Sequence, residues 1–386
     1  MQIRTLDYDK VAPRIGLDFH VVSGIYQGVR TYLTNLLESV LKVESELKYF
    51  IYAKNPKELS YLENHNAKVI LKKLPSASGR LNLLIGFPIC AIRDKLSLFH
   101  SQYVLPPFIP CKTVLTIHDI LYESHPEFFP EIHRRLLKLF VPLSARKASK
   151  IISDSEFTKD QIIKYYDIPE EKITVIYLGV KDKFAPIRDQ DLIFSVIQKY
   201  GIKKKYIIFV GRIEPRKNIV GLLNAFDYIK KRGKKDLCLV IVGNQDNIFK
   251  EKELFDKIKE LQLDLDVIFT GGVSEDDLPV LYNGAEVLVY PALAEGFGLP
   301  VLEAMACGIP VITSNTTSLP EVAGNAAILV NPYSYEELGE SLNRLLSNQG
   351  LRKELSAKGL ERARKFRWEK AAEKTIQLYR EILHVS

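Results

Sequence analysis

Short apolar runs alternate along the chain with longer stretches in which apolar residues recur every three to four positions. The runs suit strands buried on both faces of a parallel sheet, and the periodic stretches suit amphipathic helices. In the first half the pattern predicts strands at 15–19, 49–53, 68–71, 96–100, 113–117, 150–153 and 173–178. Helices are predicted at 30–41, 131–147 and 156–166, with Ser155 placed to cap the last. A polar stretch at 181–191, containing Pro186, reads as a linker. A second series of strands follows at 206–210, 237–242, 267–270, 287–290, 310–313 and 327–330, with helices at 219–229, 336–346, 351–366 and 368–383. The chain, 386 residues long, is thus expected to be α/β, with two doubly wound parallel-sheet domains at 1–185 and 186–366. Ligands of such sheets bind beyond the carboxyl ends of the strands. The last segment, 367–386, is expected to pack back on the first domain as a helix.

Composition narrows the setting. With 46% apolar and 26% charged residues the chain has the balance of an ordinary globular protein rather than a disordered one. It has no run of eighteen apolar residues, and residues 1–10 lack the apolar centre of a signal peptide, so a cytoplasmic protein is expected. Cys90, Cys111, Cys238 and Cys307 are too scattered for a zinc site or a disulfide framework and read as buried free thiols. Charge is uneven: residues 1–185 carry 26 Lys and Arg against 20 Asp and Glu, and residues 186–386 carry 28 against 27. The densest cationic stretch runs from 132 to 150. As a helix it would either sit on anionic lipid headgroups, peripherally at the inner membrane face, or pack its apolar stripe on a sheet. No nucleic-acid module accompanies the charge, and nucleic acid is not an expected partner.

Two motifs carry chemistry. Residues 295–303 (EGFGLPVLE) place Glu295 and Glu303 eight positions apart around a glycine turn, between an apolar run and a proline-opened helix. Backbone amides at such a helix start attract phosphate, and carboxylates on either side suit sugar hydroxyls. Residues 210–218 (VGRIEPRKN) likewise follow a strand and precede a helix, and Arg212 and Lys217 could converge on one pyrophosphate. The bland readings are an ordinary strand–helix loop with two surface glutamates and a solvated basic loop.

These residues sit in a wider pattern. Gly271-Gly272-Val273-Ser274, the run 304–311 (AMACGIPV) and Ser318-Leu319-Pro320-Glu321-Val322 extend it through the second half. Gly28-Val29-Arg30-Thr31-Tyr32, His118-Asp119, Ser155-Glu156-Phe157-Thr158 and 172–180 continue it through the first. In this order they resemble the retaining GT-B glycosyltransferases of family four, also called group one, and the variant at 214–218 is similar to the branch rich in bacterial surface-polysaccharide mannosyltransferases. The resemblance implies two Rossmann-like domains facing across a cleft, the first for acceptor and the second for nucleotide sugar. It implies that Arg212 and Lys217 bind the donor diphosphate and that the backbone of Gly296, Phe297, Gly298 and Leu299 holds phosphates and sugar. Glu303 would take the ribose hydroxyls, Glu295 the donor sugar, and Gly211 and Val273 would lie by the nucleotide. From the first domain His118 would reach the sugar, helped by its neighbour Asp119, and Gly28 would let the domain close over the phosphates. Arg30, where the family often has glycine, would add a cation.

The implied reaction moves a hexose, GDP-mannose being the favoured donor, to a saccharide or lipid-linked saccharide acceptor in lipopolysaccharide synthesis. No cofactor and no metal is expected, since two cations can neutralise the leaving group; Asp264-Leu265-Asp266 is discounted as a metal motif. The competing readings are a sugar-nucleotide epimerase, a phosphorylase, or a nucleotide-sugar-binding protein without activity.

Overall fold

The computed structural model describes residues 12–20, 27–43, 46–63, 68–244 and 251–384; the opening decapeptide lies outside them. Thirteen strands fall into two all-parallel sheets among these residues. The first comprises β1 (Arg14–Asp18), β2 (Lys48–Ala53), β3 (Val69–Lys73), β4 (Leu98–Gln102), β5 (Lys112–Ile117), β6 (Lys150–Ser153) and β7 (Ile173–Val175), in the spatial order 3-2-1-4-5-6-7. The second comprises β8 (Lys205–Val210), β9 (Leu237–Val242), β10 (Val267–Gly271), β11 (Val287–Tyr290), β12 (Val311–Ser314) and β13 (Ile328–Val330), in the order 10-9-8-11-12-13. Both orders reverse direction once, between β1 and β4 and between β8 and β11. At that reversal adjacent loops diverge to opposite faces and leave room for a ligand.

The strands form where β-branched and aromatic residues are buried from both sides. All six residues of β9 are buried, as are all four of β11. Helices cover both faces, and their ends follow local rules. Ser155 accepts from Thr158 N at the start of Glu156–Tyr166, as its sequence position predicts. Asn218, in the left-handed region at φ 57°, accepts from Gly221 N to open Ile219–Lys231. The final helix, Trp368–Leu383, leaves the second domain and packs on Gln27–Val43 of the first. There Tyr379 hydroxyl meets His100 Nδ1 at 2.6 Å. The backbone bridge Val180–Arg367 marks the crossing.

Several elements differ from the periodic reading. The linker stretch ends in a helix, Gln190–Lys199, capped by Asp189, because the apolar positions Ile193 and Val196 reach the second core. Short helical turns fill 79–93, where the periodicity predicts no element. The cationic helix Glu131–Lys147 keeps its predicted bounds, but it turns Val141, Ser144 and Ala145 toward the sheet and leaves Leu139, Phe140 and Leu143 exposed. All four cysteines are free thiols; three are buried and Cys111 is half-buried. No described helix is long and apolar enough to cross a membrane.

Candidate active site

The loops after β8 and β11, adjacent strands at the reversal of the second sheet, meet beyond their carboxyl ends. The first loop closes in the tight turn Pro215–Lys217. The second runs from Pro291 to Gly298 and is almost wholly buried. Backbone and side chain join them: Leu293 N donates to Arg216 O at 2.7 Å, and Asn218 Nδ2 donates to Pro291 O at 3.2 Å.

At their centre lies a buried ionic cluster. Lys217, only 6% exposed, pairs with Glu295 Oε1 and donates to Tyr290 hydroxyl at 2.7 Å. Tyr290 in turn donates to the same carboxylate at 2.8 Å. Arg216 spans to Glu295 Oε2 at 3.0 Å and to Glu214 Oε1 at 2.7 Å. Burial disfavours charge on Glu295, yet Arg216 and Lys217 outweigh it and hold the carboxyl down at about 2. Burial and the adjacent guanidinium push the Lys217 ammonium down, with Glu295 opposing. The guanidinium of Arg216 is raised, its burial overcome by Glu295, Glu214 and Asp119.

The glycine turn is set by what it touches. Ser318 Oγ lies 2.9 and 3.0 Å from the carbonyl oxygens of Glu295 and Phe297, and Glu295 N donates to Thr317 Oγ1 at 3.1 Å. Gly298 sits at φ 109°, where a side chain would be strained, and Pro300 opens the helix Leu299–Ala306. A Cβ on Gly296 would come within 2.5 Å of His118 O and 2.8 Å of Asp119 Cβ. Glycine is needed there because the two domains touch at that point. Across the same contact, Ser155 Oγ donates to Gly296 O at 2.8 Å, and Phe297 packs with Tyr177 and Phe366.

From the first domain His118 projects just past β5, its Nδ1 2.7 Å from Asp154 Oδ2. Rings of Tyr32 and Tyr103 flank it at 4.7 and 5.5 Å, and its Nε2 is buried with no hydrogen-bond partner. Register explains the pair: Ile117 faces Ser153 across β5 and β6, so the next residue on each strand falls alongside. Asp119, the neighbour favoured from sequence, instead accepts from Leu121 N at 3.2 Å and lies by Arg216.

The structure therefore brings Lys217, Glu295, Gly296 and His118 into one neighbourhood. Arg216, Asp154 and Tyr290 join them unannounced by the motifs. For Arg216 the signal was adjacency to Lys217 in a turn tight enough to aim both side chains at one loop. For Asp154 it was strand register. Arg212 opens the first loop, half-buried, after Gly211. Gly28 is not in a loop: it lies exposed in the first turn of Gln27–Val43, which starts three residues earlier than periodicity predicts, and a Cβ there meets open space. Val273 follows β10 half-buried. Glu303 is half-buried and accepts from Tyr282 hydroxyl at 3.0 Å. Burial raises its carboxyl to about 7 against that hydrogen bond and the more distant Lys183 and Lys181. Among the described residues no group of His, Cys, Asp or Glu could hold a metal ion; Asp266 pairs with Lys204 and Lys230 instead.

The family Glycosyl transferases group 1 matches residues 194–362, and Glycosyltransferase Family 4 matches 26–184. The chain is 32% identical over 292 residues to O-antigen chain mannosyltransferase B of Escherichia coli, covering 75% of this chain and 76% of that protein. It is 31% identical over 291 residues to the serotype-specific mannosyltransferase WbdA of Escherichia coli, covering 72% of this chain but 34% of that longer protein. Anabaena HepE, solved in complex with UDP and glucose, superposes with a TM-score of 0.76 at 19% identity, over 96% of this chain and all of that one.

Proposed function

The chain belongs to the group 1, family 4 glycosyltransferases, and from that premise we propose that it transfers mannose from GDP-mannose, with retention, to a saccharide or lipid-linked saccharide acceptor. It is a glycosyltransferase of polysaccharide synthesis, as its O-antigen mannosyltransferase relatives support. The observation that carries the finer reading is the meeting of the Lys217–Glu295 pair and the glycine turn with His118 from the opposite sheet.

Each group has a task in this reading. Lys217, with Arg212 on the same loop, stabilises negative charge on the departing diphosphate. A carboxylate that titrates at about 2 does not serve as a proton donor near neutrality, so Glu295 accepts hydrogen bonds from the donor sugar and holds Lys217 in place. In the tautomer that gives Nδ1–H to Asp154, His118 offers Nε2 as acceptor to a sugar hydroxyl. The bond from anomeric carbon to diphosphate oxygen breaks, and the acceptor oxygen bonds to that carbon on the same face. The acceptor proton passes to the departing diphosphate. Glu303 accepts from the ribose. The nucleotide-and-sugar complex of HepE, a protein of the same fold, is consistent with a nucleotide-sugar donor.

The test is a panel of GDP-mannose, UDP-glucose and UDP-N-acetylglucosamine, read by thermal shift and by transfer of labelled sugar. GDP-mannose should raise the melting temperature most and support transfer. Preference for a UDP sugar overturns the donor. Conversion without acceptor, or dependence on inorganic phosphate, replaces transfer by epimerase or phosphorylase chemistry.

A further inference from the structure

The helix Glu131–Lys147 presents Ile132, Leu136, Leu139, Phe140 and Leu143 to solvent, exposed by 40 to 78%. Their spacing of three and four makes one continuous stripe on the side opposite Val141 and Ala145, which face the sheet. The stripe is not alone. The turn-and-helix segment 79–93 packs through Phe87, Cys90 and Ala91 into the same apolar cluster that holds Val141 and Ala145, so both segments cover one face of the first sheet. On its outer side Leu84, Ile85, Ile89 and Ile92 are each at least 51% exposed. Phe108 stands 80% exposed on the 102–110 connection, which Leu105 N ties to Ser144 Oγ at 3.0 Å, and the Lys147 ammonium lies 5.9 Å from the Phe108 ring centroid. Large apolar side chains gathered on one face of a globular protein mark a surface that another phase or molecule covers.

Charge selects the occupant. From 79 to 150 the chain carries ten Lys and Arg against five Asp and Glu, most of the cationic excess of its first half. Glu131 engages Arg134 and Arg135, and Glu123 engages Lys138; by helical spacing Arg135 and Arg146 flank the stripe, whereas Arg134 and Lys138 lie toward the side of Val141 and Ala145. A second copy of the chain, docked by the same patch, would set these cations against their own duplicates. We propose that this face is a docking surface for an anionic phospholipid bilayer. The apolar stripe enters the headgroup boundary, and Arg135 and Arg146 lie at the phosphate level. The inference rests on the surface alone and is read without turnover, so it stands or falls apart from the donor assignment.

The test is flotation of the full-length protein with vesicles of phosphatidylglycerol and phosphatidylethanolamine, beside vesicles of phosphatidylcholine. Binding to the anionic vesicles only, weakened as salt rises from 0.1 to 0.5 M, is expected. Arg135→Glu with Arg146→Glu should weaken it by on the order of tenfold or more. Leu139→Ser with Leu143→Ser, both at exposed sites, should weaken it while leaving donor-induced thermal shift unchanged. Failure of the wild-type protein to float with anionic vesicles overturns the proposal. So does equal binding to both vesicle types, or binding unaffected by either pair of substitutions. A concentration-dependent dimer that the serine pair dissociates, without vesicle binding, would assign the patch to a second copy instead.

Discussion

Glu295 and Glu303 stand eight residues apart on one loop and helix, yet their carboxyls are driven in opposite directions. Glu295 touches two cations and a tyrosine hydroxyl and is held at about 2. Glu303 has one phenol to accept from and only distant lysines, and burial lifts it to about 7. The residue type is the same; Glu295 is the more deeply buried of the two, yet it is the one held ionised, because its neighbours differ. A buried carboxylate stays charged only where cations replace the lost solvation. One motif therefore supplies a permanently charged group beside Lys217 and a group that titrates near neutrality one helical turn in.

Removing the cation is the harshest way to break this contrast. Lys217→Ala leaves Glu295 buried with Arg216 alone, and should cost on the order of 3–5 kcal/mol in denaturant unfolding. Turnover should fall by roughly a hundredfold to a thousandfold, by analogy with the loss of a transition-state donor. Lys217→Met with Glu295→Gln removes both charges, and should recover most of the stability but none of the turnover. Recovery of turnover in that double variant would show that the pair is structural only.

The next effect is on pH. Because the folded pKa of Glu303 lies above its ordinary 4.5, the folded state holds that proton more tightly than the unfolded chain. Its contribution to stability is fully present below about pH 4.5 and is lost as pH rises through about 7. Glu303→Gln should flatten that part of the stability curve. If the ionised carboxylate accepts the ribose hydroxyls, donor affinity in the wild-type protein should also rise through about pH 7 and lose this dependence in the variant. Glu295, depressed to about 2, contributes stability that is present above about 4.5 and lost only as pH falls through 2, so it gives no slope in the neutral range.

The smallest change sharpens the comparison from the other side. Tyr282→Phe removes the one hydrogen bond that favours ionised Glu303. The midpoint of the affinity profile should move to higher pH, with about 1 kcal/mol of stability lost. An unmoved midpoint would mean that the hydroxyl does not set the titration.

Much of this was legible before any coordinates. Periodicity gave the full bounds of Glu131–Lys147, Glu156–Tyr166 and Trp368–Leu383, because a helix needs only a local repeat and ends that suit it. Alternation of apolar runs with helical stretches identified the two parallel sheets. The motif loops at 211–218 and 291–298 were found from glycine, proline and charge following a strand. The short turns at 79–93 were not, since tertiary burial of Phe87 and Cys90, rather than a long repeat, stabilises them.

The amino-acid sequence by itself determined that Lys217, Glu295 and His118 lie just past strand ends, because that follows from local pattern. Tertiary structure alone decided their partners. The 10-9-8-11 reversal put the loops of β8 and β11 side by side, register set Asp154 rather than Asp119 against His118, and domain contact fixed Gly296 under His118. It also decided which side of the cationic helix faces water. Partner choice and protonation depend on distances between residues far apart in the chain, and only packing sets those distances.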